Sequence, residues 1–424
     1  MLQKKYWRNS DFLLILGLFF LSNVSAFIQT FWHNPQFVFA QLALWLALTA
    51  CAVWAMSKRN LIPKFFENLK MSQFIFPFLI FSGLSIFWSV YWEISLCRWL
   101  IFFCAVITGG YIGLLYDIKR IIKLLSFFGV YILLLSSIPI FFMPHIGVMH
   151  YHSIQGAWKG LYWHKNHMGL IATFVNMLSI INIVDAWRST RQRVFSWGLL
   201  YFFSLLFIVK SDSAAALIVS ILLHGMIFLA LIWLKFREKI RKSHYFIFIA
   251  VLIFASFILY LNADYFLGIF NRNTALTGRV PMWGYLFETY LSKRPFLGYG
   301  FNAFWYIDSY RVAIGKAAGY PDPIVIADNG FIDILINTGY IGLILFLIFY
   351  FGAWWRSIKY ASKAKDINGL FPVILMTYTA LANVSWSVMF ENESFFMLVM
   401  LAVLFRVSAN APINYEGDEI AIRV

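Results

Sequence analysis

Two aspartates and an arginine in the second half of the chain have the side chains that a group-transfer site needs. Asp328 and Asp333 bracket the start of an apolar run, and Arg279 stands in the turn-like stretch 277–279. A carboxylate can take a proton from a hydroxyl. A guanidinium can hold a phosphate through two parallel hydrogen bonds. The three residues therefore predict proton abstraction next to a bound phosphate or diphosphate.

Each of these residues also has a purely structural interpretation. Asp328 is a suitable N-cap for the helix that follows it, with Asn329 as the second candidate, and the residue types alone favour the cap. Asp333 falls inside or close to an apolar run, where a carboxylate costs about 2.5–3.5 kcal/mol, so it needs a partner or a function. Arg279 at a membrane surface would by default reach for lipid headgroups.

More cations and two histidines occur in the first half of the chain. Arg98 stands at the start of an apolar run, and Lys159 and Lys165 flank His164. His164 and His167 are three residues apart at a predicted helix start. A zinc site would need at least one more ligand, and none is evident, so no metal is expected. The cations indicate an anionic ligand.

The elements that position these residues are predicted to be membrane helices. Hydrophobic residues make up 61% of the 424-residue chain and charged residues only 12%, whereas a soluble domain carries about 25% charged residues. Apolar runs near the ~20 residues of a bilayer span recur throughout. They fall at 12–31, 36–56, 72–91, 95–116, 124–143, 167–187, 194–210, 213–234, 245–262, 330–352, 369–389 and 394–408. The fold class predicted is an all-α integral membrane protein of about twelve transmembrane helices.

The distribution of Lys and Arg predicts the orientation of these helices. Alternate connections are rich in positive charge, which places them and both termini in the cytoplasm. The net charge of +15 follows from this bias, so nucleic-acid binding is not expected. Two sizeable segments, 144–166 and 262–329, then face the periplasm, and the second is predicted to carry short amphipathic helices. We expect a single membrane domain over 1–408 and a cytoplasmic tail over 409–424.

Three stretches resemble motifs of the bacterial O-antigen ligase and exopolysaccharide polymerase superfamily. Residues 156–169 (GAWKGLYWHKNHMG) resemble its GxWxGxxxHKNxxG stretch, and residues 277–301 resemble its large periplasmic loop. Residues 329–342, with Asn329 and the pair Gly339 and Gly342, resemble its signature at the following helix start. The motifs stand in the order and at the topological positions of that superfamily.

The resemblance implies a metal-independent, inverting glycosyltransferase of the bacterial inner membrane. Such enzymes take a glycan from an undecaprenyl-diphosphate carrier at the periplasmic face, without a cofactor. It implies that Arg279 and Arg98 bind the diphosphate. The usual histidine base is replaced here by Asp328, whose basicity partial burial could raise. The residues expected to bind substrate are Arg98, Lys159, His164, Lys165, Asn166, Asn329 and Asp333, with Asp328 and Arg279 as the catalytic pair.

Several functions remain open on the sequence. The stretch at 156–169 favours an exopolysaccharide polymerase, whose partners would be the lipid-linked donor, a glycan acceptor, a chain-length regulator and a flippase. An O-antigen ligase that transfers glycan to lipid A–core is the first alternative. A polysaccharide-lipid flippase or transporter would also fit twelve helices, but no repeat between the halves is evident. No nucleotide-binding loop of the type GxxxxGK[ST] occurs.

Overall fold

The chain folds into a bundle of helices. The structure, a computed structural model, describes Gly17 and residues 35–150, 155–187, 191–236, 278–319, 323–389 and 395–409. Over these ranges there is no β-strand, only one isolated antiparallel bridge between Val148 and Trp158. Apart from Gly17, the predicted helices at 12–31 and 245–262 lie outside the described residues, as does the tail from 410.

The described helices follow the apolar runs closely. They are α1 Pro35–Lys58, α2 Ile62–Met71, α3 Phe76–Leu84, α4 Trp92–Leu115, α5 Ile118–Phe142, α6 Pro144–Gly147, α7 Lys165–Ala186, α8 Arg191–Lys210, α9 Ala214–Phe236, α10 Arg279–Thr289, α11 Asp308–Ala317, α12 Gly330–Ala361, α13 Phe371–Ser385 and α14 Phe395–Ser408. Short 3₁₀ turns at Gln73–Ile75 and Ser85–Trp88 extend α3 at both ends.

Seven of these helices are long and apolar enough to cross a bilayer: α1, α4, α5, α7, α8, α9 and α12. An eighth span arises if α2 is counted with the segment Gln73–Trp88, across a bend of 70°. The sequence did not predict α2, which turns the chain before the next span. The protein is therefore a multi-pass membrane protein, and the count of twelve helices stays a prediction.

The predicted helix at 330–352 is broken at Gly339, which has a non-helical φ of 67°. The segment 295–300 repairs this break through backbone hydrogen bonds. The N–H groups of Tyr299 and Gly300 donate to the carbonyl of Asn337, at 3.0 and 2.8 Å, and the N–H of Tyr340 donates to the carbonyl of Pro295 at 2.8 Å. Since a bilayer offers no water to unpaired backbone groups, a break here needs such partners. Residues 295–300 and the part of α12 that they contact, residues 336–341, are together called the α12 splice below.

Glycines make this close approach possible. A Cβ on Gly298, whose φ is +65°, would lie 2.6 Å from the carbonyl of Asn337, and a Cβ on Gly339 would overlap the backbone of Phe296. The loop is thereby fixed to the N-terminal part of α12. A small core buries apolar side chains from this loop and from α12. Its members include Met282, Leu286, Tyr290, Phe304, Trp305, Leu335 and Ile336.

The opposite end of the bundle holds the connections predicted to be cytoplasmic. Asp185 at the end of α7 accepts from Lys119 at 3.0 Å and from the side-chain amide of Asn368 at 2.6 Å. Arg356 near the end of α12 donates to the carbonyl of Met71 at 2.6 Å. Lys119 and Arg356 thus lie at the end of the bundle opposite the starts of α7 and α12.

Candidate functional site

Arg279 and Asp328 form an ion pair at the N-terminal end of α12. The Nε of Arg279 donates to an Asp328 carboxylate oxygen at 3.2 Å, and both side chains are half-buried. Arg279 is the first residue of α10, so the two charges come from positions 49 residues apart. Among the described residues, none accepts a hydrogen bond from either Nη of Arg279. The guanidinium therefore holds the carboxylate with one edge and keeps two donors for another oxygen-rich ligand.

The interpretation of Asp328 as the N-cap of α12 is wrong. The cap is Asn329, whose side-chain oxygen accepts from the N–H groups of Phe331 and Ile332 at 3.0 and 3.3 Å. Asp328 precedes the cap with a left-handed φ of 52°, a conformation that aspartate tolerates better than most residues. Its carboxylate is directed to Arg279 instead. This leaves Asp328 open to a chemical role.

Burial raises the pKa of Asp328 above its ordinary value, and the charge and hydrogen bond of Arg279 act in the opposite direction. A raised pKa makes the carboxylate a stronger base. The sequence had suggested such a change as a consequence of partial burial, and the role of Asp328 as a base stays a prediction. Burial is the larger of these causes, and the contact with Arg279 favours the ionised form of the carboxylate.

Asp333 fixes the loop against α12 through both carboxylate oxygens. One oxygen accepts from the indole N–H of Trp305 at 2.7 Å and from the backbone N–H of Ala327 at 3.0 Å. The other accepts from the hydroxyl of Ser387. The prediction that this carboxylate needs partners is confirmed. Because the bond to Ala327 holds the residue next to Asp328, these contacts position the ion pair, and direct substrate binding by Asp333 stays a prediction.

Two of the residues predicted to bind substrate at the start of α7, Lys165 and Asn166, contact other parts of the protein. Lys165 is buried, and its ammonium group donates to the backbone carbonyl and the carboxylate of Asp212 at 2.6 and 2.7 Å. The side-chain carbonyl of Asn166 accepts from the hydroxyl of Ser213 at 3.0 Å. Both residues thus bind the turn between α8 and α9. Their contacts are structural ones, and substrate binding by them stays a prediction.

His164 has a different environment from its two neighbours. It caps α7 by accepting the backbone N–H of Asn166 on Nδ1 at 3.2 Å, and its ring stacks on Trp386 at 5.1 Å between centroids. Burial lowers the pKa of His164 to about 3, with further lowering by the charges of Lys165, Arg279, His167 and Lys159. The charges of these groups therefore disfavour a protonated His164. The same cause, burial, lowers the pKa of Lys159.

Arg98 is buried in a separate set of contacts. Its guanidinium donates to the side chain of Gln41 at 3.2 Å and to the hydroxyl of Tyr306 at 2.5 Å, and it lies over the Tyr306 ring. These contacts join α1, α4 and the loop before α11. They show that Arg98 is a fixed cation close to the loop, and its role toward a diphosphate stays a prediction.

The structure adds residues that sequence reasoning did not select. Trp386 and Ser387 follow α13 and connect His164 to Asp333, while Trp305 and Asp212 bind predicted site residues. Of these residues, only Asp212 could have been suspected from the sequence, because a lysine near the membrane is expected to have an acidic partner. Across the described ranges, no three His, Cys, Asp or Glu side chains are grouped as metal ligands would be.

Two comparisons with known proteins bear on this site. Residues 199–347 match the family described as O-Antigen ligase, and this match includes Arg279, Asp328 and Asp333. Over 369 residues the chain is 25% identical to the exopolysaccharide production protein ExoQ of Rhizobium meliloti (strain 1021), covering 81% of this chain and 77% of that protein. The resemblance to the O-antigen ligase and exopolysaccharide polymerase superfamily is thereby confirmed.

Proposed function

We propose that the protein is an inverting glycosyltransferase that polymerises an exopolysaccharide or another surface polysaccharide. It takes a glycan from an undecaprenyl-diphosphate carrier at the periplasmic face of a bacterial inner membrane and joins it to another carrier-linked repeat. Support comes from the family match at 199–347, from the relative named for exopolysaccharide production, and from the site at the outer end of α12.

The observation that carries this proposal is the pairing of Arg279 with Asp328. An arginine with two open Nη groups can hold a phosphate in bidentate fashion. A carboxylate on the Nε side of the same guanidinium then lies near the sugar that this phosphate carries. In the proposed reaction it serves an acceptor hydroxyl on the face of the sugar opposite the phosphate. One residue pair therefore supplies a base for the acceptor and a clamp for the leaving group.

The reaction follows from these positions. Asp328 takes the proton of the acceptor hydroxyl, and the hydroxyl oxygen forms a bond to the anomeric carbon from the face opposite the diphosphate. The bond from that carbon to the diphosphate oxygen breaks, and the electron pair leaves with the lipid diphosphate. Arg279 stabilises the charge that builds there, with Arg98 as a further cation. The proposal needs no nucleotide, metal or cofactor, since the donor bond carries the required free energy.

An O-antigen ligase is the second candidate within the family, because the matched family carries that description. The name of the ExoQ relative and the stretch 156–169 favour the polymerase. A transporter is disfavoured by the α12 splice. Transporters use broken helices to offer backbone groups to a substrate, but here the break at Gly339 is filled by residues 295–300.

Deletion of the gene distinguishes the two family functions. Loss of a polymerase leaves single repeats on the carrier lipid, whereas loss of a ligase leaves long carrier-linked chains. The lipid-linked products are extracted and sized by mass spectrometry. Long chains in the deletion strain would overturn the polymerase, and unchanged products would overturn both.

The orientation is tested by labelling Lys316, an exposed residue of α11 in the loop. A Lys316→Cys variant in whole spheroplasts should react with a membrane-impermeant maleimide, with the unsubstituted chain and its Cys51, Cys97 and Cys104 as the control. Labelling that requires rupture of the inner membrane would place the loop in the cytoplasm. No periplasmic transfer could then occur at this site.

A further inference from the structure

His164 is held on three sides. The backbone N–H of Asn166 donates to Nδ1 at 3.2 Å, which is the capping bond of α7. One ring face stacks on Trp386 with an interplanar angle of 14°, and Trp163 packs 5.5 Å away. The fourth side, with Nε2, makes no hydrogen bond to any residue within the described ranges, and Nε2 is not among the buried unpartnered nitrogens. The ring is immobilised with one nitrogen left open.

The capping bond decides where the proton of the ring resides. A nitrogen that accepts a backbone N–H carries no hydrogen, so the single proton of a neutral imidazole is on the other nitrogen. In His164 this places the proton on the open Nε2. The ring is thus a donor toward the space in front of it, and it has no free lone pair with which to act as a base.

Burial, together with the positive charges around the ring, favours its neutral form. The groups whose charges act on it are Lys159 from the preceding turn, Lys165 and His167 from α7, and Arg279 from α10. A further positive charge among them would be unfavourable. A neutral N–H donor adds a hydrogen bond to an anion without adding to that repulsion, as enzymes do elsewhere with neutral imidazoles.

We propose that His164 is a tautomer-fixed hydrogen-bond donor whose Nε2–H binds a phosphate oxygen of the carrier diphosphate beside Arg279. This rests on the proposed function, because it assumes that a lipid diphosphate occupies the space next to Arg279. It assigns His164 a part in stabilising the leaving group and excludes it as the base. The base is then left to Asp328.

Two substitutions separate the donor from the cap. Gln places its side-chain amide N–H close to the position of Nε2, so His164→Gln keeps the donor and loses the acceptor at the cap. Asn places its carbonyl close to the position of Nδ1 and is itself a good N-cap, so His164→Asn keeps the cap and loses the donor. The two variants carry the same functional group and the same charge.

Binding of undecaprenyl diphosphate to the purified full-length chain in nanodiscs gives the readout, with undecaprenol as the control lipid. We expect His164→Asn to weaken binding about 10- to 100-fold, the effect of one hydrogen bond to a charged group, and His164→Gln to stay within about 5-fold of the native chain. The reverse order would show that His164 is only a cap. Equal losses in both variants would also overturn the donor role.

The same binding assay keeps the two proposals apart. If the native chain does not distinguish undecaprenyl diphosphate from undecaprenol, the diphosphate site and the proposed function fail together. If it does, and His164→Asn binds as the native chain does, only the role of His164 fails. Solid-state ¹⁵N NMR supplies a readout that is independent of binding. Nε2 should carry the proton between pH 5.5 and 8, and a proton on Nδ1 would contradict the assignment.

Discussion

The starts of α7 and α12 have the same design in sequence but different contacts in space. Each helix begins after a polar cap, His164 or Asn329, and each cap has charged neighbours. At α7 the ammonium group of Lys165 donates its hydrogen bonds to Asp212, in the turn between α8 and α9. At α12, Arg279 binds Asp328 through Nε, and its two Nη groups make no hydrogen bond to any described residue. A charged residue beside a helix cap is thus part of the scaffold in one place and part of the site in the other.

The comparison is sharpest at Arg279. We expect Arg279→Ala to lower polysaccharide formation by about 100- to 1,000-fold, as loss of a preorganised transition-state contact commonly does. Arg279→Lys should recover little, because an ammonium lacks the fork that binds Asp328 and a phosphate together. The measurement is product per unit of membrane-inserted protein. Lys316→Ala is the matched control, a cation of the same loop that is exposed. Equal activity of the Lys316→Ala and Arg279→Ala variants would contradict the role of Arg279 in binding the diphosphate.

Asp328→Asn tests the base at the same helix start. Asparagine also tolerates a left-handed φ, so the variant should fold and still lose about 100-fold or more in rate. The base must be ionised, so activity in the native chain should rise with pH through the raised pKa of Asp328. That limb should therefore lie above the ordinary value of 3.8 and vanish in the variant. A variant with the native rate and pH profile would leave Asp328 without a chemical role.

At α7 the corresponding test concerns stability. The side chain of Lys165 is 3% exposed and that of Asp212 is 71% exposed. Asp212→Asn leaves a buried ammonium without its counter-charge and should destabilise the fold by on the order of 1–3 kcal/mol. Lys165→Met leaves a carboxylate that water solvates and should cost less. Thermal unfolding in detergent measures both. If Lys165→Met instead lost as much activity as Arg279→Ala, Lys165 would belong to the site.

The smallest effect is expected at the cap of α12. Asn329→Ala removes the acceptor of two backbone N–H groups and should cost about 1 kcal/mol of stability. Because the cap is next to Asp328, a modest fall in rate should accompany it. Asn329→Asp keeps the cap and serves as the control in the same unfolding assay. An Asn329→Ala chain as stable as the native one would contradict the assignment of the cap.

The boundaries of most membrane-spanning helices were predictable because a continuous apolar run of about 20 residues is a strong signal. The bend before Gln73 and the break at Gly339 were not, because neither follows from local composition. Glycine is ordinary in a membrane helix, and the break at Gly339 depends on residues 295–300 arriving from elsewhere in the chain. The motif glycines were visible in the sequence, but their physical purpose was not.

The site was predictable in its residues and less so in their partners. Asp328 and Asn329 are both good caps, and the choice between them depends on Arg279, 49 residues away. The partner of Lys165 is 47 residues further along the chain. Charge and spacing identified the groups that need partners, while the pairing itself is a property of the folded bundle.

The α12 splice has a consequence for engineering. Residues 295–300 supply backbone partners in the middle of a membrane helix, so the loop cannot be exchanged as an independent module. A chimera that takes its loop from a relative would have to take residues 334–341 from the same donor. Whatever property the loop determines is therefore expected to be inherited together with the first part of α12.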